Sequence, residues 1–437
     1  NLSGQPLVSS FPVYDMQPGQ EIGNSGARGY IGSIDFMVFP TDTQDFRIRL
    51  NANPYRDLGV PFTGLPFSTS TPNTGTSNYY KLSLRYEKRD IASWFPRISA
   101  SYYNQDYERI LEENRYAIRS GSSYSSAFPG GPSTFTGNLS TFARSGESKT
   151  SQTAKAYGYD IQLNFIPWKN SILITGVNYS DNFSRDTFAN TQFSTTTGNV
   201  TSSITDIANT PRSHYKNLGW YNQLEYTPIK YFRISGGLRW DRWQTTAEPT
   251  PGYPSGALGD VFLRTLPLIQ ANPGGLDPVG AAGYATLAAG NTITTESKVA
   301  TYNIGATVFI PGGFNPYVRY STSFREPDIL NRYLFRNFST APFFSLPSVV
   351  NTNLKPEKGK DVDFGVKIAM SKFHGAFSYY RNQIDNASNT AQGIYCVNIS
   401  TPPIPGFNTL VVNTPPGFGC PNPPAPATHL VQVFQTV

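Results

Sequence analysis

The chain has 437 residues, enough for one large all-β unit or for two or three ordinary domains. Hydrophobic residues make up only 38% of it and charged residues 15%, and no apolar run is long enough for a transmembrane helix. Its three His and two Cys leave little room for a zinc cluster or a disulfide-dense scaffold. The basic residues behind the net charge of +6 are scattered, so we expect no nucleic-acid partner. They form either a mildly basic surface or a basic cavity that attracts anionic ligands.

Apolar and polar residues alternate along most of the chain, which predicts β-strands. The clearest case is Tyr231–Trp243, in which Arg233, Ser235, Arg239 and Asp241 share one face. The other face of this segment carries Phe232, Ile234, Leu238 and Trp240. Strands of about ten residues with charge on the polar face are typical of strands that cross a bilayer around a wet interior. In chain order, we predict about 13 strands, at residues 30–39, 43–52, 78–87, 96–107, 154–166, 171–183, 213–226, 231–243, 297–310, 316–325, 360–370, 374–386 and 429–437.

Aromatic residues and prolines recur together at the ends of the predicted strands. Proline cannot donate a ladder hydrogen bond and therefore belongs at a strand terminus. Aromatic rings at strand ends form girdles at the two membrane interfaces. Ordinary hairpin turns would account for one such pair, but repeated pairs on short connections favour a girdle. The pairs are Phe39-Pro40, Phe95-Pro96, Phe165-Ile166-Pro167, Tyr226-Thr227-Pro228 and Phe309-Ile310-Pro311.

The connections between predicted strands alternate between short and long. The short ones lie near residues 40–42, 88–94, 167–170, 227–230, 311–315 and 371–373. The long ones, which we expect to be structureless, cover residues 53–77, 108–153, 185–212, 244–295, 326–358 and 387–428. Short periplasmic turns and long extracellular loops are typical of outer-membrane barrels. We therefore predict an all-β fold, an antiparallel up-and-down transmembrane β-barrel in a bacterial outer membrane.

The parity of the strands predicts that the barrel is incomplete. A short turn joins the first two strands, so the first one runs toward the periplasm, and Val437 ends within a predicted strand. An odd, unclosed set would leave unpaired strand edges in lipid, which is costly. We therefore expect residues 1–437 to be the middle of a larger barrel.

Four stretches resemble the barrel domain of TonB-dependent outer-membrane receptors. Asn351–Glu357 (NTNLKPE), which precedes the strand DVDFGVKIAM, is similar to the family's N-P-N-L-K-P-E segment, with Thr352 in place of the Pro. Ser323–Pro327 (SFREP) is similar to the family's F-R-x-P element, and Tyr221–Asp241 resembles its G-G-L-R-x-D hairpin. Phe377–Asn386, followed by a long loop and VFQTV, is similar to the y-x-N-x-I segment and the strand after it. The resemblance implies a barrel of 22 strands, with a plug domain and the last strands outside this chain.

The resemblance also implies active import of a scarce ligand, and a ferric siderophore is our first hypothesis. The plug would couple the barrel to TonB, and the partners would be outer-membrane lipid and a small molecule such as a metal chelate. The family's ligand sites combine aromatic and basic side chains, which suit flat apolar groups and carboxylate or catecholate oxygens. The candidate ligand-binding residues are Tyr103, Tyr107, Arg109, Arg239, Trp243, Arg325, Arg332, Tyr333 and Arg336. The alternative for each is a girdle aromatic or a lumen salt bridge.

The sequence is also compatible with other functions. They are uptake of haem or an oligosaccharide, a passive porin-like channel or surface-assembly barrel, and a secreted β-rich binding module. Haem receptors of the family usually carry a His between the two loop motifs, and residues 328–350 contain none, although Tyr333 could ligate iron. No catalytic nucleophile or phosphate-binding motif is present, so we predict neither an enzyme nor a cofactor.

Both cysteines lie in the last long loop. In an oxidising compartment, Cys396 and Cys420 would most simply form a disulfide. Closing a loop of about 25 residues would contribute about 3 kcal/mol by restricting the unfolded chain. Two free thiols or a metal-binding pair are the alternatives.

Overall fold

The computed structural model of the chain describes residues 28–56, 69–70, 74–118, 123–126, 133–136, 142–194, 197–253, 256–337, 344–345, 347–398 and 428–437. Its strands are β1 (Arg28–Gly29), β2 (Gly32–Thr41), β3 (Gln44–Ala52), β4 (Tyr55–Arg56), β5 (Thr69–Ser70), β6 (Thr74–Ala92), β7 (Phe95–Ile118), β8 (Ser123–Ser126), β9 (Ser133–Thr136), β10 (Phe142–Phe165), β11 (Ser171–Phe193), β12 (Val200–Ile207), β13 (Arg212–Ile229), β14 (Phe232–Glu248), β15 (Ile293–Val308), β16 (Phe314–Arg325), β17 (Arg336–Asn337), β18 (Phe344–Ser345), β19 (Pro347–Val349), β20 (Glu357–Ala369), β21 (His374–Asp385), β22 (Thr390–Asn398) and β23 (Thr428–Thr436). Its helices are α1 (Gly256–Ala271), α2 (Pro278–Ala288) and α3 (Ile329–Tyr333). None of these helices is both long enough and apolar enough to cross a bilayer.

Twelve long strands form the backbone of one antiparallel sheet. Their order is β2-β3-β6-β7-β10-β11-β13-β14-β15-β16-β20-β21, so each strand pairs with its successor among them. They correspond to the first twelve predicted strands, and the predicted up-and-down order is confirmed. Within the described residues the sheet does not close on itself. Several strands run well into segments predicted as loops. For example, β10 pairs with β7 from Asn164↔Arg97 as far as Phe142↔Ile118.

The aromatic residues predicted at the short turns lie side by side at one end of the sheet. The ring of Phe95 lies 5.7 Å from that of Trp94 and 5.0 Å from that of Phe165. The next pair is Trp168 and Tyr226, with centroids 5.6 Å apart. Rings from neighbouring hairpins therefore pack in groups at the short-turn end of the sheet, as expected of a girdle at a membrane interface.

The two faces of the sheet differ in chemistry, as the alternating pattern predicts. On one face, here the outer face, large apolar side chains stand exposed: Ile234 by 37%, Leu238 by 45% and Ile304 by 58%. On the opposite, inner face, Arg239 and Asp241 form an ion pair. Exposed apolar side chains of this size on a whole sheet face indicate a surface made for a non-aqueous environment.

The expectation of structureless long loops is wrong for the segment 244–295. This segment contains α1 and α2, which pack on each other through Phe262 and Tyr284, with ring centroids 4.6 Å apart. Asp277 caps α2 because its carboxylate accepts hydrogen bonds from the Val279 and Gly280 amides. We call α1, α2, α3, β17, β18, β19, β22 and β23 together the cap. Its buried core contains Tyr253, Val261, Phe262, Leu266, Ile269, Leu276, Ala281, Tyr284, Leu287, Tyr333, Phe335, Val349, Val350, Tyr395 and Val433.

The prediction that residues 429–437 form a barrel strand is also wrong. Strand β23 pairs antiparallel with β22 and parallel with β18 and β19, in a five-stranded sheet separate from the large one. The side chains of Val433 and Gln435 are buried in the cap, which explains this placement. In a barrel strand, one of the two alternating faces would lie in lipid instead. Alternation alone cannot distinguish the two environments.

Two buried amide side chains join the parts of the cap. The Gln435 amide donates to the carbonyls of Val350 at 3.0 Å and Asp277 at 3.1 Å, and its oxygen accepts from the Asp277 N–H at 2.6 Å. The Asn351 amide donates to the Thr436 carbonyl at 2.9 Å. Buried amides that satisfy several backbone groups at once fix the relative position of those segments.

Thr352 connects the long loop before β20 to α2. Its N–H and its hydroxyl both donate to the Gly280 carbonyl at 3.3 Å. A proline at this position, as in the motif that this segment resembles, has neither donor. On the helix side, a Cβ at Gly280 would overlap Asn351, and one at Gly283 would overlap Thr352, so this contact requires glycine.

Candidate functional site

The inner face meets the cap at the loop end of β13, β14 and β15. There the rings of Tyr215 and Trp243 lie 4.8 Å apart at an interplanar angle of 39°, and Phe324 approaches Trp243 edge-on at 6.4 Å. The register places Trp243 opposite Asn217 on one neighbour and opposite Ser297 on the other. This junction of wall and cap is where aromatic and basic side chains come together.

A buried ion pair closes the junction. The Arg332 Nη2 lies 2.7 Å from the Glu326 Oε1, and both side chains are only 3% exposed. Ser297 on β15 donates its hydroxyl to the Glu326 Oε2 at 2.5 Å, and the Arg332 Nη1 donates to the Thr352 carbonyl at 3.2 Å. These contacts hold the α3 segment against both the wall and the segment before β20.

Five buried polar side-chain atoms at this junction have no hydrogen-bond partner among the described residues. They are the Trp243 Nε1, the Thr245 Oγ1, the Thr295 Oγ1, the Arg332 Nε and the Tyr333 hydroxyl, and we call these residues the buried polar cluster. Thr245 lies directly opposite Thr295. The Tyr333 hydroxyl comes close enough to the Thr295 hydroxyl to oppose the effect of burial on the Tyr333 pKa, but the two do not reach hydrogen-bond geometry. A buried polar group without a partner costs about 1–3 kcal/mol, so several in one place indicate a site that takes up water or the polar atoms of a ligand.

Every member of this cluster can donate a hydrogen bond. The indole and guanidinium nitrogens are donors only, and the three hydroxyls can donate. Burial raises the pKa of Tyr333, so its phenol stays protonated at neutral pH. A set of donors beside a guanidinium suits carboxylate, catecholate and other oxygen-rich groups.

Lower on the inner wall, Arg239 is already committed to protein partners. Its Nε and Nη2 lie 2.7 Å from the two oxygens of Asp241, which is fully buried. Its Nη2 also donates to the Asn178 Oδ1 at 3.0 Å, and Asn217 donates to Asp241 at 3.0 Å. Arg239 therefore belongs to a wall network, the lumen salt bridge that the sequence left open as its alternative role.

A groove lies beside this network where two strands separate. β15 and β16 pair over only five residues each, from Asn303↔Ser321 to Thr307↔Tyr317. The cavity has a volume of 390 Å³ and is lined by, among others, Tyr221, Arg239, Asn303, Arg319 and Ser323. Among the described residues no ion pair is formed by Arg319, so the groove carries one uncommitted cation.

The structure brings together three of the nine candidate residues, Trp243, Arg332 and Tyr333. Arg325 stands 60% exposed, with its Nη1 3.6 Å from Glu357. The candidates on β7 are Tyr103, Tyr107 and Arg109, and three strands separate β7 from β14. The Lys81 ammonium lies 5.0 Å from the Tyr103 ring. Arg336 begins β17, and its side chain lies outside the described residues.

Sequence reasoning missed three contributors to this junction. Glu326 lies inside the SFREP stretch, so the motif itself contained the signal. Thr245 and Thr295 lie inside the two ends of the segment 244–295 predicted as a loop, and no pattern marks them. The predicted disulfide remains a prediction, because the Cys396 side chain on β22 and the whole of Cys420 lie outside the described residues.

Two solved structures whose titles describe transporters have a similar fold. The chain is similar to a structure titled "Copper transporter OprC", with 14% identity, a TM-score of 0.55 and coverage of 84% of this chain and 48% of that one. It is also similar to the ferric citrate transporter FecA in the unliganded form, with 11% identity, a TM-score of 0.50 and coverage of 87% and 49%. The chain thus spans about half the length of these proteins. No curated protein matches it.

The family model for the TonB-dependent receptor-like β-barrel matches residues 22–415, nearly the whole chain. The match agrees with the antiparallel up-and-down sheet, the apolar outer face and the girdle of aromatic residues at the short turns. These observations show that the chain belongs to the TonB-dependent receptor β-barrel family, whose members are transport proteins of the bacterial outer membrane.

Proposed function

We propose that this protein imports a ferric siderophore through the outer membrane in a TonB-coupled process. The observation that carries the proposal is the buried polar cluster, which gathers hydrogen-bond donors at the junction between inner wall and cap. Siderophores present carboxylate, catecholate or hydroxamate oxygens, which are acceptors for such donors. Two transporters of the same fold are named for copper and ferric citrate, which supports a metal or a metal chelate as cargo.

In this proposal the cap must move before the ligand reaches the cluster. Arg332, Tyr333 and Thr245 are at most 3% exposed, so the closed arrangement admits no ligand. Glu326 accepts a hydrogen bond from Ser297, and Arg332 donates one to the Thr352 carbonyl. Water or ligand oxygens can replace these polar contacts when the cap moves. The ligand would then supply the partners that the cluster lacks. Coupling to TonB through a plug is the part of the proposal that family membership alone supports.

The test is uptake of radiolabelled iron by a host that lacks its own siderophore receptors and expresses the intact receptor. Catecholate, hydroxamate and citrate chelates are supplied separately, with and without TonB. The key variant is Trp243→Phe, which removes one unpartnered donor and keeps an aromatic ring. We expect it to raise the KM for the imported chelate about tenfold, while stability stays the same or rises because no hydrogen bond is lost.

Trp220→Phe is the matched control, because Trp220 stands 42% exposed on the outer face. It should transport at the wild-type rate. Uptake that does not depend on TonB, or a Trp243→Phe variant with an unchanged KM for every chelate imported, would contradict the proposal.

A further inference from the structure

Charged side chains on the outer face recur at a constant distance from the turn end of the sheet. Each lies ten residues from the last regularly paired residue at that end: Lys155 from Phe165, Lys216 from Tyr226, Arg242 from Phe232 and Lys298 from Val308. With a rise of about 3.3 Å per residue and the usual strand tilt, ten residues climb roughly 25 Å. That is the height of the apolar band of an outer-membrane barrel, so these charges mark its upper border.

Apolar and aromatic side chains lie directly below this row on the same face. Leu218 and Trp220 stand exposed on β13, and Tyr302 on β15 is 49% exposed. Leu218 lies two residues from Lys216 toward the turn end of β13, and on the next two strands Arg242 and Lys298 are register partners. The outer face thus changes from apolar to ionic within one side-chain spacing, as it does where acyl chains meet headgroups.

On β13, β14 and β15 positive charge exceeds negative charge in this row. Arg242 and Lys298 share a single carboxylate, that of Glu296, at 2.7 Å and 3.1 Å. Lys216 lies 3.8 Å from Asp181, which is also held by His214 at 2.9 Å. Like charges directly opposite each other destabilise a strand pair, so a second anion beside Arg242 and Lys298 would be stabilising.

We propose that Lys216, Arg242 and Lys298, the outer basic patch, bind the phosphate groups of lipid headgroups in the outer leaflet. The patch lies at headgroup height, and its side chains remain accessible at 39%, 48% and 60% exposure. The apolar surface below it accommodates the acyl chains of the same lipid. Basic residues at a membrane surface attract anionic headgroups in this way. The proposal is independent of which ligand the receptor transports.

The test measures lipid binding to the purified receptor in detergent by native mass spectrometry. The probes are diphosphoryl lipid A and the same lipid without its phosphates. In the double variant Arg242→Gln/Lys298→Gln, affinity for the phosphorylated lipid should fall about tenfold, while the dephosphorylated lipid binds equally to both proteins. Glu296→Gln should act in the opposite direction and raise affinity, because it removes the carboxylate that competes with phosphate.

Arg319→Gln removes one cation from the inner face and is the charge-matched control for the single variant Arg242→Gln, with lipid binding unchanged. If the double variant does not fold, Arg242→Gln alone should still weaken binding by a few-fold. The proposal is overturned if the phosphates make no difference to affinity, or if Glu296→Gln weakens binding. Displacement of the lipid by low concentrations of inorganic phosphate would overturn it as well, since the site would then bind a small anion rather than a membrane surface.

Discussion

Two arginines seven residues apart have opposite environments, although the sequence presents them as equivalent candidates. Arg325 is 60% exposed beside Glu357, whereas Arg332 is 3% exposed and paired with the equally buried Glu326. Exposed ion pairs contribute little to stability, but removing one partner of a buried pair leaves an uncompensated charge. The exposure of the ion pair therefore decides how much its arginine contributes to the stability of the fold.

Arg332→Gln should loosen the cap, because the Glu326 carboxylate would stay buried without its partner. We expect a local loss of about 3–5 kcal/mol, seen as faster amide hydrogen exchange in residues 329–337 and 347–353. Arg325→Gln is the control and should change exchange there by less than about 1 kcal/mol. Equal exchange in the two variants would show that the buried pair does not hold the cap.

At the scale of single elements, α2 shows why the helical hairpin escaped sequence analysis. Its sequence, PVGAAGYATLA, contains two glycines, each of which costs about 1 kcal/mol relative to alanine in a helix. The same glycines allow the helix to approach Asn351 and Thr352 closely. Packing thus overrides helix propensity, which a pattern of local preferences does not reveal.

Gly280→Ala should displace α2 from this contact, since the new methyl group would overlap the Asn351 side chain. We expect a loss of about 1–3 kcal/mol, as for an overpacked core, despite the gain in helix propensity. Thr286→Ala, at an exposed position of the same helix, gains propensity without a clash and should be neutral or stabilising. Protease sensitivity of the α1–α2 hairpin measures both. A Gly280→Ala hairpin as resistant as the wild type would refute the close packing.

At the scale of the whole molecule, the large sheet separates two solvents. Neighbouring residues on β15 provide a matched test, because Ile304 is exposed on the outer face while Asn303 lines the groove of the inner face. Spin labels placed at each position in reconstituted receptor should differ in accessibility. The label at 304 should collide mainly with oxygen, which dissolves in lipid, and the label at 303 with a water-soluble nickel chelate. Similar accessibilities at the two positions would contradict a lipid-facing outer surface.

The candidate site could be predicted only in part. Arginine and aromatic residues near the tops of strands pointed to Trp243, Arg332 and Tyr333, because those residue types suit an oxygen-rich ligand. Each has one buried donor atom without a hydrogen-bond partner among the described residues. Which atoms are left in this way depends on what the cap buries against the wall, and this information is not local. Thr245 and Thr295 become part of the site only because β14 and β15 pair in one register.

The sequence by itself determined the existence and order of the twelve long strands of the large sheet and the chemistry of its two faces. Side chains alternate between the two faces of a strand, so a two-residue alternation of polarity in the sequence indicates the environment of each face of the sheet. Tertiary structure decided what the long connections do: it turned residues 256–288 into a helical hairpin and took β23 out of the large sheet. The physical reason is that these segments bury their apolar residues against one another, far apart in sequence, and such contacts leave no periodic mark on the chain.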